Sequence, residues 1–398
     1  MHIGDSPEEA DFRATARAWL ETVAGPRTLD SSASHLHDLE GHAASCRRWQ
    51  RVLYDGGWGG LTWPKEFGGR GLSHAQASIF GEEMSRTEIN TGVFMVAAGM
   101  VAPTLIAHGT PEQQQRYLGP ILRGEELWCQ LFSEPNAGSD LASLQTKAEL
   151  DGETWIVNGQ KVWTSFGQLC DWGILLTRTS SEGARQAGIT YLLVDMRTPG
   201  IEVRPITQIN GVKHFNEVFL TDVRIPKENI LGEINGGWRI ANTTLTSERG
   251  AIGGNSSAWT VDNLITIAKD LGVAGDASIR QQLSAAHSRA QILQYTGYRL
   301  KTAMANHTMP GPEVLIMKLA MANHWRLSTE LAVEMLGAGG MLYGDDAYSG
   351  GTWQHYMLNQ YAIRIGGGTD EIQRNIIAER GLGLPKDASS YGALASPP

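Results

Sequence analysis

The spacing of apolar residues along this chain changes period twice, and no other feature constrains the fold as strongly. In the first part apolar residues recur at helical intervals: Phe12, Ala16, Trp19 and Leu20 within 9–24, then Trp49, Val52 and Leu53 within 43–55. More helices are expected over 73–91, 94–108 and from Pro111 to about 123. The Ser/His/Asp-rich stretch 28–42 and the Gly/Pro-punctuated stretch 56–69 read as connections. From Leu127 to about Pro226 the period falls to two, through Ala148 and Leu150, then Thr154, Ile156 and Asn158. It continues in Gly173, Leu175 and Leu176, then Ile189, Tyr191 and Leu193, then Ile201 and Val203. Asp151-Gly152 and Asn158-Gly159 read as the turns between such strands, and Asn229-Ile230-Leu231-Gly232 closes the region. From Gly236 helical spacing returns over 237–270, 276–305 and 311–337, with a last segment near 369–381 and a corner at Pro310-Gly311-Pro312. The expected architecture is a multidomain α+β chain. An N-terminal α-helical domain (1–124) precedes a middle β-barrel domain (125–234) and a C-terminal four-helix bundle (235–398).

Composition removes several classes of function. The chain has 398 residues, 41% hydrophobic and 19% charged, enough for two or three domains with a large core. A net charge of −9 argues against a nucleic-acid binder, which needs a basic face. Cys46, Cys129 and Cys170 are few and widely spaced, so no disulfide framework or metal pattern is expected and a reducing compartment fits. The eleven histidines show no HExxH spacing, His35 and His37 read as solvated, and no metal is expected. No GxSxG elbow occurs, and Gly337-Ala338-Gly339-Gly340 is not a dinucleotide fingerprint. The first nine residues lack a basic n-region and an apolar h-region. No apolar run approaches the roughly 20 residues of a membrane helix. A cytoplasmic protein without membrane insertion is the expectation.

Three motifs remain. The first is Leu131-Phe132-Ser133-Glu134-Pro135-Asn136-Ala137-Gly138-Ser139-Asp140, a turn rich in small residues and hydrogen-bond donors. The second is Val157-Asn158-Gly159-Gln160-Lys161-Val162-Trp163-Thr164-Ser165, a strand pattern carrying a tryptophan. The third is Gly367-Gly368-Thr369-Asp370-Glu371-Ile372-Gln373-Arg374-Asn375-Ile376-Ile377-Ala378-Glu379-Arg380. In this order, over 12–385, the chain resembles the acyl-CoA dehydrogenase family of flavoenzymes.

That resemblance implies FAD as cofactor and an acyl-CoA thioester as substrate. The reaction gives the 2-enoyl thioester, and electrons pass to an electron-transfer flavoprotein. Such chemistry needs a base for the α-proton, an acceptor for hydride, donors around the thioester carbonyl and exclusion of water. By resemblance, Gln130 and Phe132 meet flavin through backbone, Ser133 through its hydroxyl, and Gly138 and Ser139 lie beside pyrophosphate and substrate. Trp163 packs on the ring with Ser165 near its edge, Thr369 reaches flavin phosphate, and Glu371 stands where a glutamine is common. In many members a glutamate directly precedes the final Gly-Thr; here that place is Gly367, which holds no proton. Other members carry the base on the first helix of the C-terminal domain, where this chain has Thr246-Ser247-Glu248-Arg249-Gly250. Glu248 is therefore the expected base and Arg249 its electrostatic neighbour, while Gly367 and Gly368 leave room for substrate.

The chain also departs from the pattern. Homotetrameric members hold a neighbour's adenosine with an Arg-x-x-Phe-Gly string and a Gln-x-x-Gly-Gly-x-Gly loop. Here the first region reads Leu271-Gly272-Val273-Ala274-Gly275-Asp276-Ala277-Ser278-Ile279-Arg280-Gln281-Gln282, and the second Glu334-Met335-Leu336-Gly337-Ala338-Gly339-Gly340. An acidic Glu334 near a pyrophosphate is unfavourable. The pattern resembles actinobacterial members that assemble as α2β2 heterotetramers on steroid side-chain thioesters, so a tetramer, of α2β2 or homomeric form, is expected. Two alternatives stay open: a non-catalytic or flavin-sharing subunit, and an acyl-carrier-protein dehydrogenase or flavin monooxygenase on the same fold.

Overall fold

The computed structural model describes residues 4–27, 37–252, 257–305 and 311–385; the side chains of 249–260, 301 and 304–305 lie outside the described atoms. His35, residues 28–36 of the first polar stretch and Pro310 fall outside it. The chain divides into two compact units. One comprises Asp5–Asn255 with Gly337–Asn359, the other Ser256–Leu336 with Gln360–Pro398 and Met1–Gly4.

The first unit begins with helices α1 (Pro7–Val23), α2 (Leu39–Asp55), α3 (His74–Met84), α4 (Ala102–His108) and α5 (Pro111–Arg123). Ser6 with Glu9, Ser73 with Gln76, and Thr110 with Gln113 form capping boxes that start α1, α3 and α5. The continuous helix expected over 73–91 stops at Met84. Asn90 turns its side chain onto the amide of Gly92 (2.8 Å), a local bond that competes with helix. A 3₁₀ turn, Gly92–Phe94, and a π-helical turn, Ala97–Val101, then lead into α4.

Strands β1 (Trp128–Leu131), β2 (Lys147–Asp151), β3 (Thr154–Ser165), β4 (Trp172–Arg178), β5 (Ile189–Asp195), β6 (Ile201–Pro205) and β7 (Phe215–Pro226) form one curled sheet. Its order is β1-β4-β2-β3-β7-β6, with β5 on β4. β1 runs parallel to β4, whereas β2–β3, β3–β7, β4–β5 and β6–β7 are antiparallel. Asp151-Gly152 is the hairpin turn expected, Gly152 taking φ +61°. Asn158-Gly159 is not a turn. It lies inside β3, where Asn158 exchanges two hydrogen bonds with Asp222 on β7 (3.0 and 2.9 Å). A Cβ on Gly159 would sit 2.5 Å from the Thr146 hydroxyl, so this glycine serves a close approach rather than a reversal.

Alternation along β1, β4 and β5 sends side chains into two cores. Trp128, Ile174, Leu176, Tyr191 and Leu193 pack with Val101, Leu105, Leu118 and Ile121 from the helices; Cys129, Leu131, Leu175, Leu192 and Val194 pack with Val157, Val218 and Leu220 on the other face. Helix α6 (Gly237–Ile252) belongs to this unit and packs against β5, α4 and the π-helical turn.

In the second unit α7 (Ser257–Asp270), α8 (Ala277–Ala305) and α9 (Glu313–Met335) pack on one another, and α11 (Asp370–Ile376) packs on α9. Helix α10 (Thr352–Ile365) carries the chain from the first unit into the second, and none of the expected helical segments covers it. Its polar residues Gln354, His355 and Gln360 are buried along with Trp353, which erases the amphipathic period that marks a helix with one solvent face. Among the described residues no helix is long and apolar enough to cross a membrane, and no cluster of His, Cys, Asp or Glu is arranged to hold a metal.

Candidate active site

The first motif leaves β1 at Leu131 and folds back on itself. The amide and carbonyl of Glu134 exchange hydrogen bonds with those of Ala137, each 3.0 Å, closing a tight turn over Pro135 and Asn136. Gly138 and Ser139 follow on the surface, and a Cβ on Gly138 would meet nothing within 4 Å. Gln130 is half-buried on β1, in register with Ile174 of β4. Phe132 is buried edge-on to Tyr191, with 5.8 Å between ring centres. Ser133 is half-buried and its carbonyl accepts the Val162 amide at 2.9 Å, which joins the first motif to the second.

The join is completed by a pair the sequence reading passed over. Lys161 is wholly buried, and its Nζ donates to Glu134 Oε1 (2.8 Å) and to the carbonyl of Phe132 (3.1 Å). The Glu134 carboxylate also accepts the amides of Gln145 (2.7 Å) and Thr146 (2.9 Å). Burial lowers the Lys161 ammonium to about 8, partly offset by Glu134. Burial alone would raise the Glu134 carboxyl, but the Lys161 charge and the donated hydrogen bonds outweigh it and hold the group below its usual range. The available signal was an acidic residue at Glu134, just past the apolar Leu131-Phe132, and the single ammonium, Lys161, of the second motif.

Directly after Lys161 the register of β3 against β7 shifts. Within this bulge Trp163 adopts φ +64° and stands 58% exposed, touching Phe215 edge-on at 6.0 Å. A left-handed backbone at a bulky residue costs about 1–2 kcal/mol and persists only where its surroundings fix it. Ser165, half-buried, ends β3 opposite Phe215. Gln130, Phe132, Ser133, Trp163 and Ser165 are thus gathered on two neighbouring segments of one unit.

Glu248 is half-buried on α6. One turn earlier, on the same face, Thr244 is fully buried and meets the hydroxyls of Thr104 (2.9 Å) and Tyr191 (3.1 Å). His108 bonds Thr243 at 2.9 Å. These bonds fix the rotation of α6 about its axis, and with it the direction of Glu248. The backbone of Arg249 continues the helix; its side chain lies outside the described atoms.

The remaining expected residues belong to the helical unit. Gly367 and Gly368 take φ +65° and +90°. Thr369 caps α11, its hydroxyl accepting the Ile372 amide at 3.2 Å. Glu371 is exposed and pairs with Arg374 at 3.3 Å. Lys318 of α9, almost fully buried, donates to the carbonyls of Gly368 (2.7 Å) and Arg364 (3.2 Å) and lies 3.6 Å from buried Asp370, which also pairs with Arg364 at 2.8 Å. Lys318, too, went unnoticed in the sequence, although a lone lysine in the apolar run 314–322 was its signal. The two segments that depart from the family pattern meet within this unit: Gln282 donates to the Glu334 carboxylate at 3.0 Å.

Family models cover nearly the whole chain: acyl-CoA dehydrogenase N-terminal domain over 6–125, middle domain over 129–223 and C-terminal domain over 235–382. The acyl-CoA dehydrogenase IpdE1 of Mycobacterium tuberculosis is 42% identical over 396 residues, spanning 95% of this chain and 98% of that protein. The chain belongs to the acyl-CoA dehydrogenase family. It is an oxidoreductase of a flavoprotein family, and its fold is that of the solved acyl-CoA dehydrogenases. The steroid acyl-CoA dehydrogenase Tcur3481-Tcur3483 matches with a TM-score of 0.84 and 27% identity, over 97% of this chain and 100% of that one. The ChsE4-ChsE5 complex from Mycobacterium tuberculosis matches with a TM-score of 0.82 and 28% identity, over 97% and 100%.

Proposed function

We propose that this chain is the catalytic subunit of an FAD-dependent acyl-CoA dehydrogenase. Its product is the 2-enoyl thioester, and its electrons go to an electron-transfer flavoprotein. The observation that carries the reading is Trp163: a large aromatic side chain held outward at a strained backbone position, beside Ser133 and Ser165. An exposed tryptophan fixed by a bulge loses apolar burial, and a flat aromatic ring laid against it restores that burial. The residues present therefore fit a flavin. When bound, FAD supplies the acceptor for the hydride that leaves the substrate β-carbon.

The chain's own residues do the rest. Trp163, Ser165, Ser133 and the backbone of Gln130 and Phe132 hold the ring. Gly138 and Ser139 lie open to pyrophosphate and substrate, and Thr369 and Glu371 serve the phosphate side. The Glu248 carboxylate takes the α-proton, with Arg249 as its electrostatic neighbour, because Gly367 offers no group that could. Gly367 and Gly368 leave space for the acyl part. We keep the three-domain division 1–124, 125–234 and 235–398, and a cytoplasmic location, as parts of this proposal.

The Gln282–Glu334 bond favours the α2β2 form. It engages the two segments with each other, and the acidic Glu334 suits a pyrophosphate poorly. A homologous partner subunit then completes the tetramer, and the steroid enzyme among the structural relatives makes a polycyclic or branched acyl group the first substrate class to try.

Two measurements test the proposal. The visible spectrum of the chain, purified alone and with a homologous partner, should show flavin absorption in at least the second case; a protein colourless in both counts against the flavoenzyme reading. Glu248→Gln should lower turnover by about 10²–10⁴-fold with flavin still bound. Unchanged turnover removes Glu248 from the role.

A further inference from the structure

We infer that the buried Lys161–Glu134 pair is a positioning device for flavin recognition, fixing the loop 133–146 and the bulge of β3 before any ligand arrives. The inference rests on the flavin reading given above.

A buried ion pair is poor evidence for stability as such. Desolvating two charges offsets most of their attraction, and apolar replacements of both partners are often neutral. What this pair does is geometric. Lys161 Nζ reaches the Phe132 carbonyl at the end of β1, and Glu134 takes the two consecutive amides of Gln145 and Thr146 where β2 begins. Lys161 itself stands on β3, two residues before Trp163. Three segments far apart in sequence therefore meet at one charge pair, with the Val162–Ser133 bond beside it. Gly159 admits the Thr146 segment close enough for this to happen. The other charged group bearing on Lys161 is Arg178 of β4, whose guanidinium is engaged by the carbonyls of Ala142 (2.6 Å) and Leu144 (3.3 Å) and so braces the same loop. Trp163 lies exposed at a strained φ, with Phe215 as its ring neighbour among the described residues. The bulge holds Trp163 between the β3–β7 pairs at Lys161 and Thr164, and the clamp on Lys161 fixes one end of that bulge. Lys161 and Glu134 act through Trp163 and Ser133, so they are positioning residues rather than catalytic ones.

The test uses the full chain, with its partner if flavin uptake needs one, and compares wild type, Lys161→Met and the double variant Lys161→Met/Glu134→Gln. FAD affinity is followed by quenching of flavin fluorescence, amide exchange at Gln145, Thr146 and Val162 by mass spectrometry, and stability by urea unfolding. In the double variant the stranded charge is gone, so stability recovers towards wild type, while FAD affinity stays about tenfold or more below it because preorganisation is lost. Exchange at the three amides should stay raised. Recovery of affinity together with stability would overturn the inference, since charge balance alone would then be the pair's role. Equal FAD affinity in wild type and Lys161→Met would overturn it as well, leaving the flavin reading intact. A wild-type chain that takes up no FAD in either preparation would sink both.

Discussion

Lys161 in the sheet unit and Lys318 in the helical unit each end on a backbone carbonyl of a motif loop, Phe132 at 3.1 Å and Gly368 at 2.7 Å. Each also faces a buried carboxylate, Glu134 at 2.8 Å and Asp370 at 3.6 Å. The electrostatics differ. Glu134 has one cation and two backbone amides as partners. Asp370 has two cations, and the shorter of its ion pairs is to Arg364. Among the described residues, Lys161 is the counter-charge that the first carboxylate contacts. In the second unit the lysine is mainly a donor to carbonyls. Pairing, more than burial, therefore decides what each lysine is worth.

Breaking the first pair should have the largest effect. Lys161→Met strands a buried carboxylate and is expected to lose about 3–5 kcal/mol of stability, read as a lower urea midpoint. Lys318→Met leaves Asp370 paired with Arg364 and strands carbonyls instead, so about 1–3 kcal/mol is expected. Equal losses in the two variants would erase the distinction drawn between them.

Glycine substitutions sharpen the contrast between the loops themselves. Gly368→Ala forces a Cβ onto a left-handed backbone, 2.7 Å from the Gln373 amide nitrogen, and should destabilise by about 1–2 kcal/mol. Gly138→Ala points into open space and should stay within about 0.5 kcal/mol of wild type. Thermal unfolding of the two variants checks the order. If Gly138→Ala were the worse, the turn beside Ser139 would be packed by something other than the residues described here.

Acid gives the smallest and most local effect. The folded Glu134 carboxyl titrates below the ordinary value of 4.5, so its contribution is fully present above that value and is lost as pH falls through the lower, folded one. Protection of the Gln145 and Thr146 amides, relative to the unfolded chain at the same pH, should fall in wild type as pH drops through the folded value below 4.5, beyond what Glu134→Gln shows. A parallel response in the two proteins would mean that other groups govern the loop in acid.

Much of this protein is legible in its sequence. The order of helical, period-two and helical segments determined the architecture, because periodicity is local information that states which face of each element is buried. The motifs around Ser133, Trp163 and Thr369 carried the resemblance to the family, and that resemblance, with the vacant place at Gly367, made Glu248 the expected base. Tertiary structure decided what depends on pairing between distant segments. Asn158-Gly159 reads as a turn until β7 supplies Asp222 and the Thr146 segment presses on the glycine. Helix α10 hides because its polar residues are buried by neighbours the sequence does not name. Lys161 looks like any strand lysine until the packing of β1, β2 and β3 encloses it with Glu134, 27 residues away. A charge carries no mark in the sequence of the partner that will make its burial tolerable. Only the folded arrangement supplies that partner.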